Sequence, residues 1–521
     1  MEKNYILTHD LGTASLKSVL FDLKLNSIYS ATETYPLYFP EEGWAEQDAV
    51  DWWKAVIKTT QEVLGGSNIK PDELAGIVFD CQGNCTVPIN KDGVPLMPAI
   101  SWLDTRAAEI VDIYSKGFPK IAGYGMMKIL MFLKISGGGP THQGGDPISH
   151  INWIRIKKPE IYGKTYKFLS CKGYVIHKCT GNPVISRDLA HTSWLADTNP
   201  GMYVWSDKIL RTYEIDKTKL PDIKKSTESA GNLTEEAAKE LGLKEGTPVI
   251  IGAVDLTSAA IGSGALLDNE YHISIGTADW VAAHVSERLK DISHYVGTIT
   301  SAMENYLCIC KQETAGKCLD WIKDQMFQDI VNKNKGKPAE VYKALDAIVE
   351  KTEPGSKSLI FTPWMHGERS IINAPEVRGG FYNVSLEHDR SHMLKAVLEG
   401  VGFNLKWGLQ FLKKWTGYPE SINAVGGGAK SDAWCQILAD IMGCSVNQMV
   451  DPELGSVKGA AIIAMVGLGV LSSFSDALPL IKVKKTYSPN LNNRQIYDKL
   501  FSQYIKIYKR NKDLFKSLNI Q

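Results

Sequence analysis

Four groups of residues have types and spacings that could do chemistry. The first is a single acid, Asp255, in the stretch VIIGAVDLTSAAIGSG (Val249 to Gly264). Its neighbours are apolar or small, so an ionised carboxylate there is costly unless it has partners or a task. Asp255 therefore reads as a reactive carboxylate. The local residues equally allow a helix N-cap ahead of an Ala-rich run. The second group is Asp10, Gly12, Thr13 and Ser15 in YILTHDLGTASLKSVLFD. Gly lets backbone approach a ligand, and hydroxyls with free N–H groups suit phosphate oxygens. An acid beside such a loop suits Mg²⁺, held directly or through water. An ordinary hairpin turn explains the same residues. The third group is Trp102, Asp104 and Arg106, an aromatic wall with an acid and a base, as a polyol pocket needs. The alternative is an exposed Asp–Arg pair beside a core Trp. The fourth is Gly426-Gly427-Gly428 followed by Ser431, where strand, glycines and helix N-terminus favour a nucleotide over a tight packing turn.

The elements that must position these groups follow from periodicity. Residues 5 to 22 predict strand, tight turn, strand. Residues 271 to 284 (YHISIGTADWVAAH) repeat that form around Gly276-Thr277. Two Gly-Thr turns, one in each half of the chain, predict an internal duplication with opposed phosphate hairpins across a cleft. Asp255 would lie on the floor of that cleft. Residues 47 to 64 predict an amphipathic helix on Val50, Trp53, Val56, Ile57 and Val63. Residues 74 to 90 predict a strand, the polar turn DCQGNC and another strand. A helix is expected from Glu313 to Met326, with Gly316 near its start either admitting a nucleotide or serving helix packing. The Leu-rich stripe from Leu394 to Leu412 predicts a long helix ending near Gly417, and Trp434, Ile437, Leu438, Ile441 and Met442 predict another. SGGGPTHQGGDP (Ser136 to Pro147) lacks the bracketing strand and helix of a nucleotide loop and reads as a flexible substrate-side loop. The stretch from about Lys482 onward reads as a surface-docked helical tail.

Composition narrows the class. Lys+Arg and Asp+Glu both number 58 in 521 residues, which gives no general attraction to nucleic acid or anionic lipid. The N-terminus lacks a signal-peptide pattern, and GAAIIAMVGLGVL (Gly459 to Leu471) is too short for a membrane span and reads as a buried helix. Nine irregularly spaced Cys predict reduced, buried thiols and a cytoplasmic protein. No nucleic-acid or membrane partner is expected.

Taken in order, these landmarks resemble the FGGY carbohydrate kinases. They are DLGTASLKSVLFD, the Gln82 turn, PAISWLDTR, GAVDLTSAAIGSG, SIGTADW, FTPWMHGERSIINAPEVRGGF, VLEGVGFNLKWGL and GGGAKSDAW. The resemblance runs over nearly the whole chain. It implies an α/β fold of two ribonuclease-H-like (actin-like ATPase) domains around an interdomain cleft, divided as 1–256 and 257–521. It implies ATP and Mg²⁺, with Asp10 placing the metal. Gly12, Thr13, Ser15 and Lys17 would form the first phosphate hairpin, and Gly276 and Thr277 the second. Gly316, Asp320, Gly427, Gly428 and Asp432 would lie by the nucleotide. Gln82, Asn84, Trp102, Asp104 and Arg106 would lie on the acceptor side, with Asp255 as catalytic base.

GGGAKSDAW and the GER loop are similar to the xylulose-kinase branch. Gly83-Asn84 replaces the Met-His pair usual there, and Leu256 replaces a polar residue after the base. Ala278-Asp279 stands where the family often has small residues. The resemblance implies phosphorylation of a primary hydroxyl of a ketopentose, first of all D-xylulose. Its competitors are L-xylulose, erythritol, ribulose, glycerol and gluconate. A non-catalytic, chaperone-like or filament-forming actin-superfamily protein is the rival class, and a homodimer is left open as the assembly.

Overall fold

The structure is a computed structural model describing residues 3–121, 123–291, 296–368, 370–372 and 374–519. Arg369 and Asn373 of the FTPWMHGERSIINAPEVRGGF stretch lie outside the described residues. The chain divides into two compact α/β units. Unit 1 takes the described residues up to Gly262 together with Thr298–Tyr306 and Ser456–Leu480. Unit 2 takes Ser263–Gly297, Leu307–Gly455 and the chain from Ile481 onward.

Unit 1 is built on β1 (Tyr5–Leu11), β2 (Ser15–Asp22), β3 (Ser27–Thr34), β4 (Glu46–Gln47), β5 (Leu74–Cys81), β6 (Ala99–Ile100), β7 (Ser229–Asn232) and β8 (Pro248–Ile250). Its six-stranded sheet has the order β7-β8-β5-β1-β2-β3. β1 and β2 form the predicted hairpin, with Asp10 opposite Lys17, and β1 runs parallel to β5 with Asp10 opposite Asp80. Every residue of β5 is buried, as befits a central strand covered on both faces. β4 and β6 form a separate two-stranded ribbon. The helix α1 (Ala49–Ser67) is capped by the Asp48 carboxylate on the Val50 N–H. It buries Trp52, Trp53, Val56 and Val63, whereas Val50 is 39% exposed, so the apolar face sits slightly off the predicted stripe. The helix α2 (Asp255–Gly262) follows β8.

Unit 2 carries β9 (Tyr271–Ile275), β10 (Asp279–Val285), β11 (Tyr306–Gln312), β12 (Ser421–Val425), β13 (Ser445–Met449) and β14 (Val483–Tyr487). Within its eight-stranded sheet these run β11-β10-β9-β12-β13-β14. The pairings repeat those of unit 1. β9·β10 is an antiparallel hairpin like β1·β2, β9·β12 and β12·β13 are parallel like β1·β5 and β5·β8, and the edge pairs β13·β14 and β7·β8 are antiparallel. The long Leu-striped helix spans Arg390–Thr416, and the C-terminal stretch forms a helix over Arg494–Asn519.

The sequence-based division after residue 256 would end the first domain before α2. In the structure α2 and residues 298–306 and 456–480 pack with unit 1. The reason is a close helix approach: a Cβ on Gly459 would lie 1.8 Å from the Ser258 carbonyl oxygen. That helix, Gly455–Gly467, is the predicted buried apolar helix, with Ala460 through Met465 fully buried. All nine cysteines are buried and free, and no helix among the described residues is long and apolar enough to cross a membrane.

Candidate active site

The first hairpin turn is held from several sides. The Gly12 N–H donates to the Ser15 carbonyl at 3.0 Å, and the Tyr35 hydroxyl donates to the Gly12 carbonyl at 2.6 Å. The Trp102 indole N–H donates to the Thr13 hydroxyl at 3.1 Å, so the predicted aromatic wall touches the predicted phosphate turn. Gln47 Nε2 donates to the Thr13 carbonyl at 2.9 Å, and Gln82 Nε2 donates to Gln47 Oε1 at 2.8 Å. Asp10, just before the turn, is half-buried, and burial raises its carboxyl above the usual range against the opposing charge of Lys17. Asp80 beside it is fully buried, with the Asp10 carboxyl as its polar neighbour. Burial, with the charges of Asp10, Cys81 and Asp255, pushes Asp80 far above the carboxylate range.

Asp255 opens α2 as its first residue, and its Oδ1 accepts the Leu256 N–H at 2.8 Å. Two features fix that position. Gly252 has φ +68°, and a Cβ there would lie 1.9 Å from the Phe79 carbonyl oxygen, so only glycine lets β8 turn beside β5. Asp188, fully buried, accepts the Val254 N–H at 2.6 Å and the Thr257 hydroxyl at 2.8 Å, on either side of Asp255. The three acids Asp10, Asp80 and Asp255 thus share one electrostatic neighbourhood.

Asp104 and Arg106 are buried, not exposed. Asp104 is fully buried and Arg106 is 6% exposed. Arg106 Nε reaches both Asp104 oxygens at 2.9 Å, its Nη1 lies 2.8 Å from Glu46, and its guanidinium stacks 3.6 Å over Trp44. Asp104 also takes the Ala45 N–H at 2.6 Å. The pair braces the Trp102 segment. Asn84 sits at φ +59°, directs Nδ2 to Asp146 at 3.3 Å, and leaves Oδ1 buried without a hydrogen-bond partner among the described residues. Asp146 also holds the Thr141 N–H and hydroxyl and the Trp194 indole. The glycine-rich loop is therefore anchored. A Cβ on Gly144 would lie 2.5 Å from Ala107, and one on Gly145 would lie 2.8 Å from the Trp102 carbonyl.

In unit 2 the Gly276 N–H donates to the Ala278 carbonyl at 3.0 Å, closing a turn one residue shorter than that of the first hairpin. The start of helix Gly316–Met326 seats on this turn: Ala315 N–H to Thr277 carbonyl at 3.1 Å, Gly316 N–H to Gly276 carbonyl at 2.9 Å. A Cβ on Gly316 would lie 2.5 Å from the Gly276 oxygen, which makes that glycine a packing requirement. Of the three glycines, Gly426 (φ +90°) and Gly428 press on Ile275, and only Gly427 faces open space. A short 3-10 turn, Gly427–Lys430, separates them from the helix Asp432–Met442, whose N-cap is Ser431 as predicted. Asp432 lies 3.4 Å from Lys485, and Asp320 takes the Tyr342 hydroxyl at 2.7 Å. Asp279, noted in sequence as a departure, is fully buried, and neither oxygen has a partner side chain among the described residues. Burial, then the Glu368 charge, raises its carboxyl far above the ordinary range.

Sequence reasoning missed Gln47, Asp80, Asp146 and Asp188. Asp80 stood in the quoted DCQGNC turn, and Gln47 stood as the first residue of the helix predicted over 47 to 64, which in the structure starts at Ala49. Asp146 and Asp188 had no local signal, since their partners lie up to 62 and 69 residues away.

Residues 5–262 match the model of the FGGY family of carbohydrate kinases, N-terminal domain, and residues 271–468 match that of its C-terminal domain. A xylulose kinase of Staphylococcus epidermidis is 29% identical over 527 residues, covering 99% of each chain. A gluconokinase of Bacillus subtilis is 27% identical over 507 residues, covering 97% of this chain and 95% of the other. The structure of a ligand-bound xylulose kinase from Lactobacillus acidophilus superposes with a TM-score of 0.86 at 26% identity, covering 99% of both chains.

Proposed function

The chain belongs to the FGGY family of carbohydrate kinases, and on that premise we propose that it transfers the γ-phosphoryl group of ATP to a primary hydroxyl of a ketopentose, first of all D-xylulose. The observation that carries the reading is the placement of Asp255. It is half-buried, fixed on both sides by Asp188, and adjacent to the acids beneath the first hairpin. Its carboxylate accepts the proton of the attacking hydroxyl as that oxygen bonds to the γ-phosphorus in line and the bond to the β-phosphate oxygen breaks, leaving ADP. The Gly12–Ser15 and Gly276–Ala278 turns offer backbone and hydroxyl donors to phosphate oxygens. Gly427 gives the nucleotide open backbone, while Gly316 and Gly428 hold the surrounding elements.

Mg²⁺ fits the donor set. The described residues contain no cluster of three or more His, Cys, Asp or Glu able to hold a metal. Mg²⁺ needs only one or two carboxylates beside phosphate and water, and Asp10, half-buried just before the Gly12–Ser15 turn, would supply one. When bound, it neutralises negative charge on the phosphate oxygens.

A ketopentose is favoured over gluconate, the substrate class in the gluconokinase's name, by one feature. Arg106, the cation the sequence offered for the acceptor side, is buried and held by Asp104 and Glu46, so it is not available to a sugar carboxylate. The test is ADP release with D-xylulose, L-xylulose, ribulose, erythritol, glycerol and gluconate, for the wild type and Asp255→Asn. D-xylulose should drive the fastest turnover, and Asp255→Asn should lower kcat by about 10²–10⁴-fold with little change in the KM for ATP. Full turnover in the variant would remove Asp255 from the mechanism, and a preference for gluconate would overturn the substrate.

A further inference from the structure

We propose that Gln47 is a positioning residue that sets the hydrogen-bonding polarity of the acceptor site and couples that site to the first phosphate hairpin. The inference rests on the kinase reading above and adds a residue and a rule to it. Amide side chains can be turned either way, but this one has no choice. The Thr13 carbonyl can only accept, so Gln47 must offer it Nε2, at 2.9 Å. Its Oε1 is then the only atom left for Gln82, which must donate Nε2 to it, at 2.8 Å. Gln82 is 3% exposed, and its Oε1 has no hydrogen-bond partner among the described residues. A buried carbonyl oxygen of this kind is costly until a donor arrives. Gln82 thus keeps one unmet acceptor, Oε1, and that oxygen calls for a sugar hydroxyl that donates.

The same relay is mechanical. Gln47 is 1% exposed and belongs to β4, a two-residue strand tied to β6. Its neighbour Glu46 engages Arg106, which braces the Trp102 segment, and Trp102 in turn donates to the Thr13 hydroxyl. The Gln82 N–H holds the Leu11 carbonyl, two residues before Thr13. A displacement of Gln82 by an acceptor hydroxyl therefore reaches the carbonyl of the turn that faces phosphate. Gln47 acts through its two hydrogen-bond partners, Thr13 and Gln82.

Four proteins test this: Gln47→Leu, Gln82→Leu, the double variant, and Gln47→Glu. Binding of the non-hydrolysable analogue AMP-PNP is measured calorimetrically without sugar, and kinetics are measured with D-xylulose. Gln47→Leu should raise the KM for D-xylulose about tenfold, the worth of one or two buried hydrogen bonds. Gln82→Leu should weaken AMP-PNP binding severalfold, although it holds no nucleotide residue except through Gln47 and Leu11. That effect should shrink in the double variant, because the relay is already cut. In Gln47→Glu the carboxylate cannot donate to Thr13. A protonated carboxyl can, through its O–H, while its carbonyl still accepts from Gln82. Its turnover relative to wild type should therefore recover as pH falls from about 8 to about 6, where a buried Glu takes up its proton. Loss of packing alone would give no such recovery. Additive effects with unchanged AMP-PNP affinity in Gln82→Leu, or a flat relative pH profile for Gln47→Glu, would overturn the proposal. Absence of wild-type turnover with D-xylulose would instead sink the substrate reading, and the AMP-PNP arm would still decide the relay. If Gln47→Leu does not fold, the Gln82→Leu and Gln47→Glu arms carry the decision.

Discussion

Asp188 takes a backbone N–H from Val254 and a hydroxyl from Thr257, the residues that bracket Asp255 by one and by two positions. Its remaining oxygen accepts the Leu189 N–H and the Ser186 hydroxyl, so the whole carboxylate is used. Asp188→Asn keeps the size and replaces one oxygen with an NH₂ that cannot accept. Either the Val254–Thr257 side or the Ser186–Leu189 side then faces a donor with a donor. The expected cost is about 1–3 kcal/mol in unfolding free energy, read from urea titration. Turnover should fall because Asp255 loses its fixed position, while the KM for ATP should hold. Equal loss of kcat and of ATP affinity would mean that Asp188 supports the unit at large and not Asp255 in particular. The Asp104–Arg106 pair teaches the converse lesson. Its residue types matched a polyol pocket, but a sequence cannot show that Glu46 and Trp44 have already claimed the guanidinium.

The long helix Arg390–Thr416 was legible from its Leu stripe, but Glu399 within it was not. Glu399 is 1% exposed and accepts the Gly355 N–H and Ser356 hydroxyl at 2.8 Å and the Tyr497 hydroxyl at 2.9 Å. These partners lie 44, 43 and 98 residues away, beyond any local pattern. Glu399 thereby ties the C-terminal helix to the turn Gly355–Ser358, whose four residues all have positive φ (78°, 46°, 51° and 67°). Three of them are not glycine, so the turn carries strain and needs an anchor. Burial raises the Glu399 carboxyl to about 7, against the hydrogen bonds and the Lys395 charge. Between the ordinary glutamate value of 4.5 and about 7 the folded protein therefore holds a proton that the unfolded chain has released. Stability from this group is full below the lower value and falls as pH rises through the window. Glu399→Gln, neutral throughout, should remove that slope. Melting temperatures of both proteins from about pH 4.5 to about 7.5 check it. Parallel profiles would show that Glu399 is ionised in the fold.

The duplication could be read from sequence because each hairpin, β1–β2 and β9–β10, announces itself locally by alternation around Gly-Thr. The same pairings recur in both sheets. Where one unit ends could not be read, because the helix Gly455–Gly467 is an apolar run that would suit either. Its membership is decided by two glycines. A Cβ on Gly459 would lie 1.8 Å from the Ser258 oxygen, and one on Gly467 would lie 2.2 Å from the Thr227 oxygen. The chain therefore returns to unit 1 after building most of unit 2, and a cut at the family-model boundary, residue 262, removes part of the unit's own core. A fragment of residues 1–262 would expose the face of α2 that Gly459 covers, around Ser258, Ala259 and Gly262, all buried in the whole chain. It should show helix and strand by far-UV circular dichroism but no cooperative thermal transition. Gly459→Leu in the full chain makes the same point without truncation. The side chain has no space against the Ser258 carbonyl, and the melting temperature should drop by several degrees, as expected for about 1–3 kcal/mol of overpacking. Adding the 456–480 segment back as a peptide should restore a cooperative transition to the fragment. A fragment that melts sharply without it would place the helix outside the unit, and α2 would then owe its position to β8 and Asp188 alone.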